Sequence, residues 1–409
     1  MLFLNGTIIA RLFVSSYIGT ISTLQLSKSL DGSYALNTIA VNNVTTDNPS
    51  WLQKDPHTGV LYCLNEGFSG PNGSISSFEI AKDGSLSLLQ NSNTSGGPVS
   101  SILFNKGKSL AVAHYGGASI TTHHVQANGT LLPLQTLTFN MSGPGPNAAR
   151  QDKPHPHQVV LDPTEKFIVT PDLGADLVRV FSIDHKTALL TEQAPYKAPP
   201  ASGPRHGAFH KAESGETYYH LVSEIANTVT SFEVTYNKGQ TAGLTFKQID
   251  NHGIYGNQTT PAGAAAAACL VTPDGRQILT SSRNATILSI PQPPAHPTNN
   301  TPGPSDTLQV WNINTPSNSG YAPEGSLSFS QLFPSGGVYP RQMSLNKAGT
   351  LLAVSLQRSA RVVILERDVK TGLLVKFLAD VQVGNYSTPA SLDGQLTSVI
   401  WDDEAECQK

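Results

Sequence analysis

The sequence predicts an all-β chain folded as a seven-bladed β-propeller, four antiparallel strands to a blade, with residues 1–409 forming one domain. Three observations predict it: a composition suited to short strands and turns, a recurring unit of turn and strand, and regularly spaced polar residues. Charged residues make up 13% of the chain, against roughly 25% in an average soluble domain, while Gly (35) and Pro (28) are plentiful. At 409 residues the chain exceeds the usual compact domain, so internal repetition is the first property to test.

The repeated unit is clearest at Asp162–Glu165, a turn, followed by the strand Lys166–Asp172, the turn Leu173–Asp176 and the strand Leu177–Ile183. Related copies follow Asp55–Gly59, Asn105–Gly107, Thr272–Gly275 and Asn346–Gly349. The polar residue closing the second strand of each copy gives the series Tyr17, Glu66, His114, Asp172, Glu224, Arg283 and Gln357, in steps of 48 to 74 residues. A period of roughly 50 residues with four short strands each is the signature of a propeller. The longest step holds a proline-rich insertion, residues 291–305, expected as an exposed surface loop because proline removes ladder donors.

The domain begins with a strand around Arg11–Tyr17, and the ring is expected to close by pairing Leu396–Trp401 with these N-terminal strands, which removes open sheet edges. Gly263–Cys269 reads as an innermost strand, where small side chains suit a crowded axis. Asp172–Asp176 lacks the alternating oxygen ligands of a calcium loop and reads as a hairpin turn with Gly174 at positive φ.

A net charge of -3 and no clustered Lys or Arg argue against nucleic acid or an anionic membrane as partner. No apolar run approaches the ~18 residues that span a bilayer. Cys63, Cys269 and Cys407 form no C-x-x-C pair and no disulfide framework. A monomer or weak oligomer is expected. Ten N-x-[ST] sequons favour a secreted glycoprotein, with Asn72, Asn128 and Asn257 the foremost acceptors, whereas residues 1–20 lack a signal-peptide pattern and favour the cytoplasm. Localisation is open between the two.

In a meandering blade the first strand starts where the second ends, so polar residues at those places meet at one mouth of the channel. First-strand starts supply His155 and His157, Arg205 and His206, and Arg341; second-strand ends supply Asp172, Glu224, Arg283 and Gln357. Arginine forks bind carboxylate or phosphate, and a His or Glu moves a proton, so the set suits a small anionic substrate. No acidic or thiol partner stands at a ligand spacing from His155 and His157, and no metal or other cofactor is expected. No G-x-S-x-G elbow is present.

Pro154–His157 with Pro171–Asp176, Gly203–His206 with Phe209 and His210, and Pro340–Asn346 with Arg361–Val363 resemble the seven-bladed lactonase family, also called cycloisomerase 2. Its members include a bacterial type of 6-phosphogluconolactonase and the fungal carboxy-cis,cis-muconate lactonising enzyme. The resemblance implies a metal-free site in which His157, Arg205, Glu224 and Arg283 act together; the strand-end reading adds His155, His206, Asp172, Arg341 and Gln357 around the substrate. The resemblance also implies lactone hydrolysis or lactone formation. The alternative is a non-catalytic propeller serving as a binding platform. Arg283 also immediately precedes the sequon Asn284–Thr286, and a glycan on Asn284 would crowd the proposed site.

Overall fold

The structure, a computed structural model, describes residues 7–43, 47–237, 243–316, 322–384 and 395–402. They form seven four-stranded antiparallel sheets and one two-stranded ribbon, with no helix among the described residues. Blades 1 to 7 have the innermost strands Leu396–Asp402, Pro49–Lys54, Pro98–Phe104, Val160–Leu161, Pro204–Lys211, Ala265–Val271 and Pro340–Leu345, and these touch their neighbours round a closed ring. The chain is thus a seven-bladed β-propeller, and Leu396–Asp402 closes it by pairing with Thr7–Ser16.

The second strand of each blade lies between sheets on both sides, and its sequence shows why. Leu61–Asn65, Ser109–His114, Phe167–Asp172 and Leu351–Leu356 are buried at every residue, which requires near-continuous apolar or small side chains. Outermost strands such as Leu131–Thr138 carry mostly exposed and half-buried residues. The apolar side chains gather in seven clusters, one at each interface between neighbouring blades. Stability is therefore distributed round the ring.

Cys63 lies in the cluster between blades 1 and 2 and Cys269 in that between blades 5 and 6. Burial pushes both thiols up, Cys269 to about 12. Neither cysteine peptide should be alkylated by iodoacetamide in the native protein, and both should be after unfolding; rapid native labelling would show an open blade interface.

Every innermost strand carries one extra residue relative to its partner near the same end. The bulges fall at Thr397, Ser50, Val99, Arg205 and Arg341, between Ala266 and Cys269 in blade 6, and between Pro156 and Val160 in blade 4. In four of them a proline stands just before the bulged residue, at Pro49, Pro98, Pro204 and Pro340. Proline removes a ladder donor and favours such irregular positions.

Two local expectations are corrected. Residues 291–305 are not a plain loop: Leu288–Gln292 and Asn299–Ser305 pair as an antiparallel ribbon, inserted between the second and third strands of blade 6. A two-stranded ribbon outside the blade has free edges, so its prolines need not donate. Nor does Gly174 take positive φ; Asp176 does, at 52°. Gly174 is required by close approach instead, since a Cβ there would sit 1.8 Å from the Lys153 carbonyl oxygen. The sequon residues Asn43, Asn72, Asn93, Asn128, Asn140, Asn257 and Asn284 are all exposed, while Asn5, Asn385 and Cys407 fall outside the described residues.

Candidate functional site

All seven polar markers stand at the ends of second strands, facing the end of the ring where the bulges lie. A bulge re-aims the side chain it carries. Ser50, Val99, His157, Arg205, Arg341 and Thr397, each from a different blade, line one cavity together with Trp51, His206 and Gln342.

At its edge, Glu224 is buried and surrounded by three guanidinium groups. Arg150 Nη2 lies 2.6 Å from Oε1, while Arg283 Nη2 and Arg205 Nε lie 2.7 and 2.8 Å from Oε2. Arg205 Nε is an ion-pair contact without hydrogen-bond alignment. Burial pushes the Glu224 carboxyl up, but Arg283, Arg205 and Arg150 outweigh it and hold it down at about 2. The trio leaves two positive charges uncompensated by this carboxylate. Burial, aided by Arg283, lowers Arg205 to about 9, so it stays charged at neutral pH.

His157 and His206 stand with ring centroids 5.2 Å apart, and Tyr115 is 5.6 Å from His157. Burial first, then Arg205, Arg341 and Arg283, holds His157 well below its usual value, so its imidazole is neutral at pH 7. Its Nδ1 is buried with no hydrogen-bond partner among the described residues. His206 is lowered by burial and Arg205 in the same way.

The remaining expected residues divide. Arg341 joins the cavity, with Nη2 at 3.0 Å from Glu66 Oε1 and Nη1 on the Tyr17 hydroxyl, which itself donates to Glu66 at 2.5 Å. His155 stacks on Tyr115 at 4.0 Å and bonds the Tyr115 carbonyl oxygen and Asp152, which fixes a loop. Asp172 accepts from the His155 and Ala175 amides and pairs with Arg179 at 2.8 Å, so its oxygens are occupied away from the Glu224 cluster. Gln357 donates to Gln395 at 2.9 Å. Asn284, in the left-handed region at φ 60°, is exposed and donates to the Gly263 carbonyl oxygen, while the neighbouring Arg283 is buried.

Sequence reasoning missed Arg150, Tyr115 and Asp306. Asp306 is buried and accepts from the amides of Asn284, Ala285 and Tyr339, tying the end of Arg283's strand to blade 7. Arg150 lies outside any strand and so outside the repeat. Its one signal is rarity: no arginine stands between Arg11 and Arg150.

Among the described residues no group of three or more His, Cys, Asp or Glu converges as a metal site would. A larger cavity of about 930 Å³ lies at the opposite end of blades 5 and 6, among His210, Asp274, Arg276 and Glu324. Asp274 there is paired with Arg367, and Glu324 accepts from Ser214.

Residues 11–388 match the family described as "Lactonase, 7-bladed beta-propeller". The chain belongs to the seven-bladed β-propeller lactonase family. A protein of Arthroderma benhamiae named "Probable 6-phosphogluconolactonase" is 29% identical over 362 residues, 88% of this chain and 83% of the relative. The 6-phosphogluconolactonase of Bacillus subtilis is 25% identical, covering 82% of this chain and 85% of the relative. Among solved lactonase propellers, the periplasmic gluconolactonase of Pseudomonas aeruginosa superposes with a TM-score of 0.72 at 25% identity, covering 96% of this chain and 98% of that one. These relatives support an enzyme of lactonase type and do not favour a non-catalytic platform.

Proposed function

We propose that this lactonase propeller hydrolyses a small anionic sugar lactone at the channel mouth, beside the small cavity ringed by the bulged residues, using His157 and the arginines grouped on Glu224. The observation that carries this reading is a charge imbalance: two buried guanidinium groups and one half-exposed one share a single buried carboxylate beside a neutral imidazole with an unbonded nitrogen. Glu224, with both oxygens occupied by guanidinium groups, has no free oxygen to take a proton and serves to position Arg205 and Arg283, whereas a nitrogen of His157 is unbonded. His157 accepts the proton of a water whose oxygen attacks the lactone carbonyl carbon. Arg205 and Arg283 stabilise the oxyanion, the ring C–O bond breaks, and the alkoxide takes the proton back from His157. Each step is met by side chains of this chain, and none is assigned to a metal.

Hydrolysis is favoured over cycloisomerisation by the protonation state of His157. A neutral imidazole can accept a proton but cannot deliver one to carbon. The names of the relatives extend the proposal to 6-phosphogluconolactone as substrate. Purified protein should accelerate acid release from 6-phosphoglucono-δ-lactone above its spontaneous rate in a pH-stat. No acceleration with this lactone or with glucono-δ-lactone would return the scaffold reading.

A further inference from the structure

The three arginines on Glu224 are held differently. Arg205 Nη1 donates to the Ala267 carbonyl oxygen at 2.7 Å, and Arg283 Nε and Nη2 donate to those of Ala265 and Ala266 at 3.3 and 3.4 Å. Both stand on strands. Their side chains are 2% and 8% exposed. Each is fixed by sheet backbone as well as by the carboxylate.

Arg150 belongs to the segment between Thr138 and Val160, which contains no strand, and its side chain is 42% exposed. It reaches in from the solvent side and touches Glu224 Oε1 and the Tyr115 phenol. The segment that carries it is nonetheless well anchored. Buried Gln151 donates to the Leu173 carbonyl oxygen at 3.0 Å and accepts from the Asn147 amide, and Lys153 donates to the Gly116 carbonyl oxygen at 2.7 Å. Tyr115 is itself stacked on His155. A rigid base thus presents a half-wet guanidinium at the edge of a cluster with two positive charges to spare.

We infer that Arg150 is the specificity-determining residue for an anionic group on the lactone, taking the phosphate or carboxylate of the substrate while the buried pair acts at the carbonyl. The inference rests on the lactonase reading above. A guanidinium fork at the solvent edge matches either oxyanion, whereas Arg205 and Arg283 are pinned to backbone carbonyls through one and two of their nitrogens and keep the rest for the reacting carbonyl. An uncharged lactone gains nothing from Arg150 beyond its hold on Glu224, so Arg150 sets the preference between charged and uncharged substrates.

The test compares kcat/KM for three substrates, 6-phosphoglucono-δ-lactone, D-glucaro-1,4-lactone with its free carboxylate, and uncharged glucono-δ-lactone, in the parent, Arg150→Gln and Arg150→Lys. Arg150→Gln should lower the ratio of phosphorylated to uncharged turnover by about 10- to 100-fold, the worth of one charge-assisted contact. Most of the loss should appear in KM. Arg150→Lys should recover part of the ratio, because it restores charge without the fork. The glucarolactone arm tells whether phosphate or carboxylate is the better ligand. Equal losses on all three substrates would overturn the inference, because a merely structural Arg150 disturbs Glu224 for every substrate alike. Calorimetry with 6-phosphogluconate and gluconate separates the two claims. Arg150-dependent binding of the phosphate without turnover of any lactone would sink the lactonase reading and leave the anion site, while turnover with an unchanged ratio would do the reverse.

Discussion

Glu224→Gln should destabilise the protein more than any other single change at the site, shifting its denaturation midpoint at pH 7 by the equivalent of about 3–5 kcal/mol, the cost of breaking a buried ion pair. The carboxylate lies within 2.8 Å of three guanidinium groups, and glutamine leaves three cations facing one another without it. Its linkage to pH has a definite sign. The folded carboxyl is held at about 2 against an ordinary value of 4.5, so its stabilisation is fully present above pH 4.5 and is lost as pH falls from there toward 2. The parent should therefore lose stability across that window more steeply than the variant. Turnover should also fall, because Arg205 and Arg283 lose the group that aligns them. A variant with the parent's midpoint and turnover at pH 7 would show that the three contacts contribute nothing.

His157→Asn should have the opposite profile, with a loss of ~10²–10⁴ in kcat, as for removal of a proton-transfer group. A comparatively small change in stability should accompany it, since Nδ1 makes no hydrogen bond to lose. The pH dependence is the sharper readout. Burial and the neighbouring arginines hold His157 well below 6.5, so the base is present in its active neutral form throughout the neutral range. The parent's kcat/KM should stay level as pH drops through 6.5 and decline only at distinctly lower pH. An acid limb centred near 6.5, or full turnover by His157→Asn, would remove His157 from the proposed role.

The propeller was legible because its repeat is written in turns and in buried second strands. Tyr17, Glu66, His114, Asp172, Glu224, Arg283 and Gln357 mark seven equivalent places, and the structure puts all seven at second-strand ends. Sequence position alone could not tell which of them share a cavity. Asp172 and Glu224 occupy matching places, yet one is saturated by Arg179 and two amides while the other gathers three arginines, because their partners come from different blades and from a loop. Arg150 was hidden for the same reason: a residue outside the period has no copy that would predict its direction. Gly174 shows a further limit, since a turn sequence suggests backbone dihedrals but not that Lys153 will pass behind it. In residues 291–305, proline content pointed to a loop, and what it excluded was only the interior of a blade.

The bulges join what holds this protein together to what it presents to a visiting molecule. One extra residue recurs in every innermost strand, and the chain occupies these equivalent sockets very unequally: Thr397, Ser50 and Val99 in three consecutive blades, then the region of His157, Arg205, an alanine stretch and Arg341. Several of these side chains also tie blades together, Thr397 donating to the Pro49 carbonyl oxygen, Ser50 to that of Pro98 and Arg205 to that of Ala267, so a setting is not free to take any residue. Three neighbouring settings are small and uncharged, so the tight chamber is lopsided, with Thr397, Ser50 and Val99 facing a wall of imidazole and guanidinium. A ring of near-identical blades carries its differing chemistry at equivalent positions, on side chains that in three blades also brace the next one.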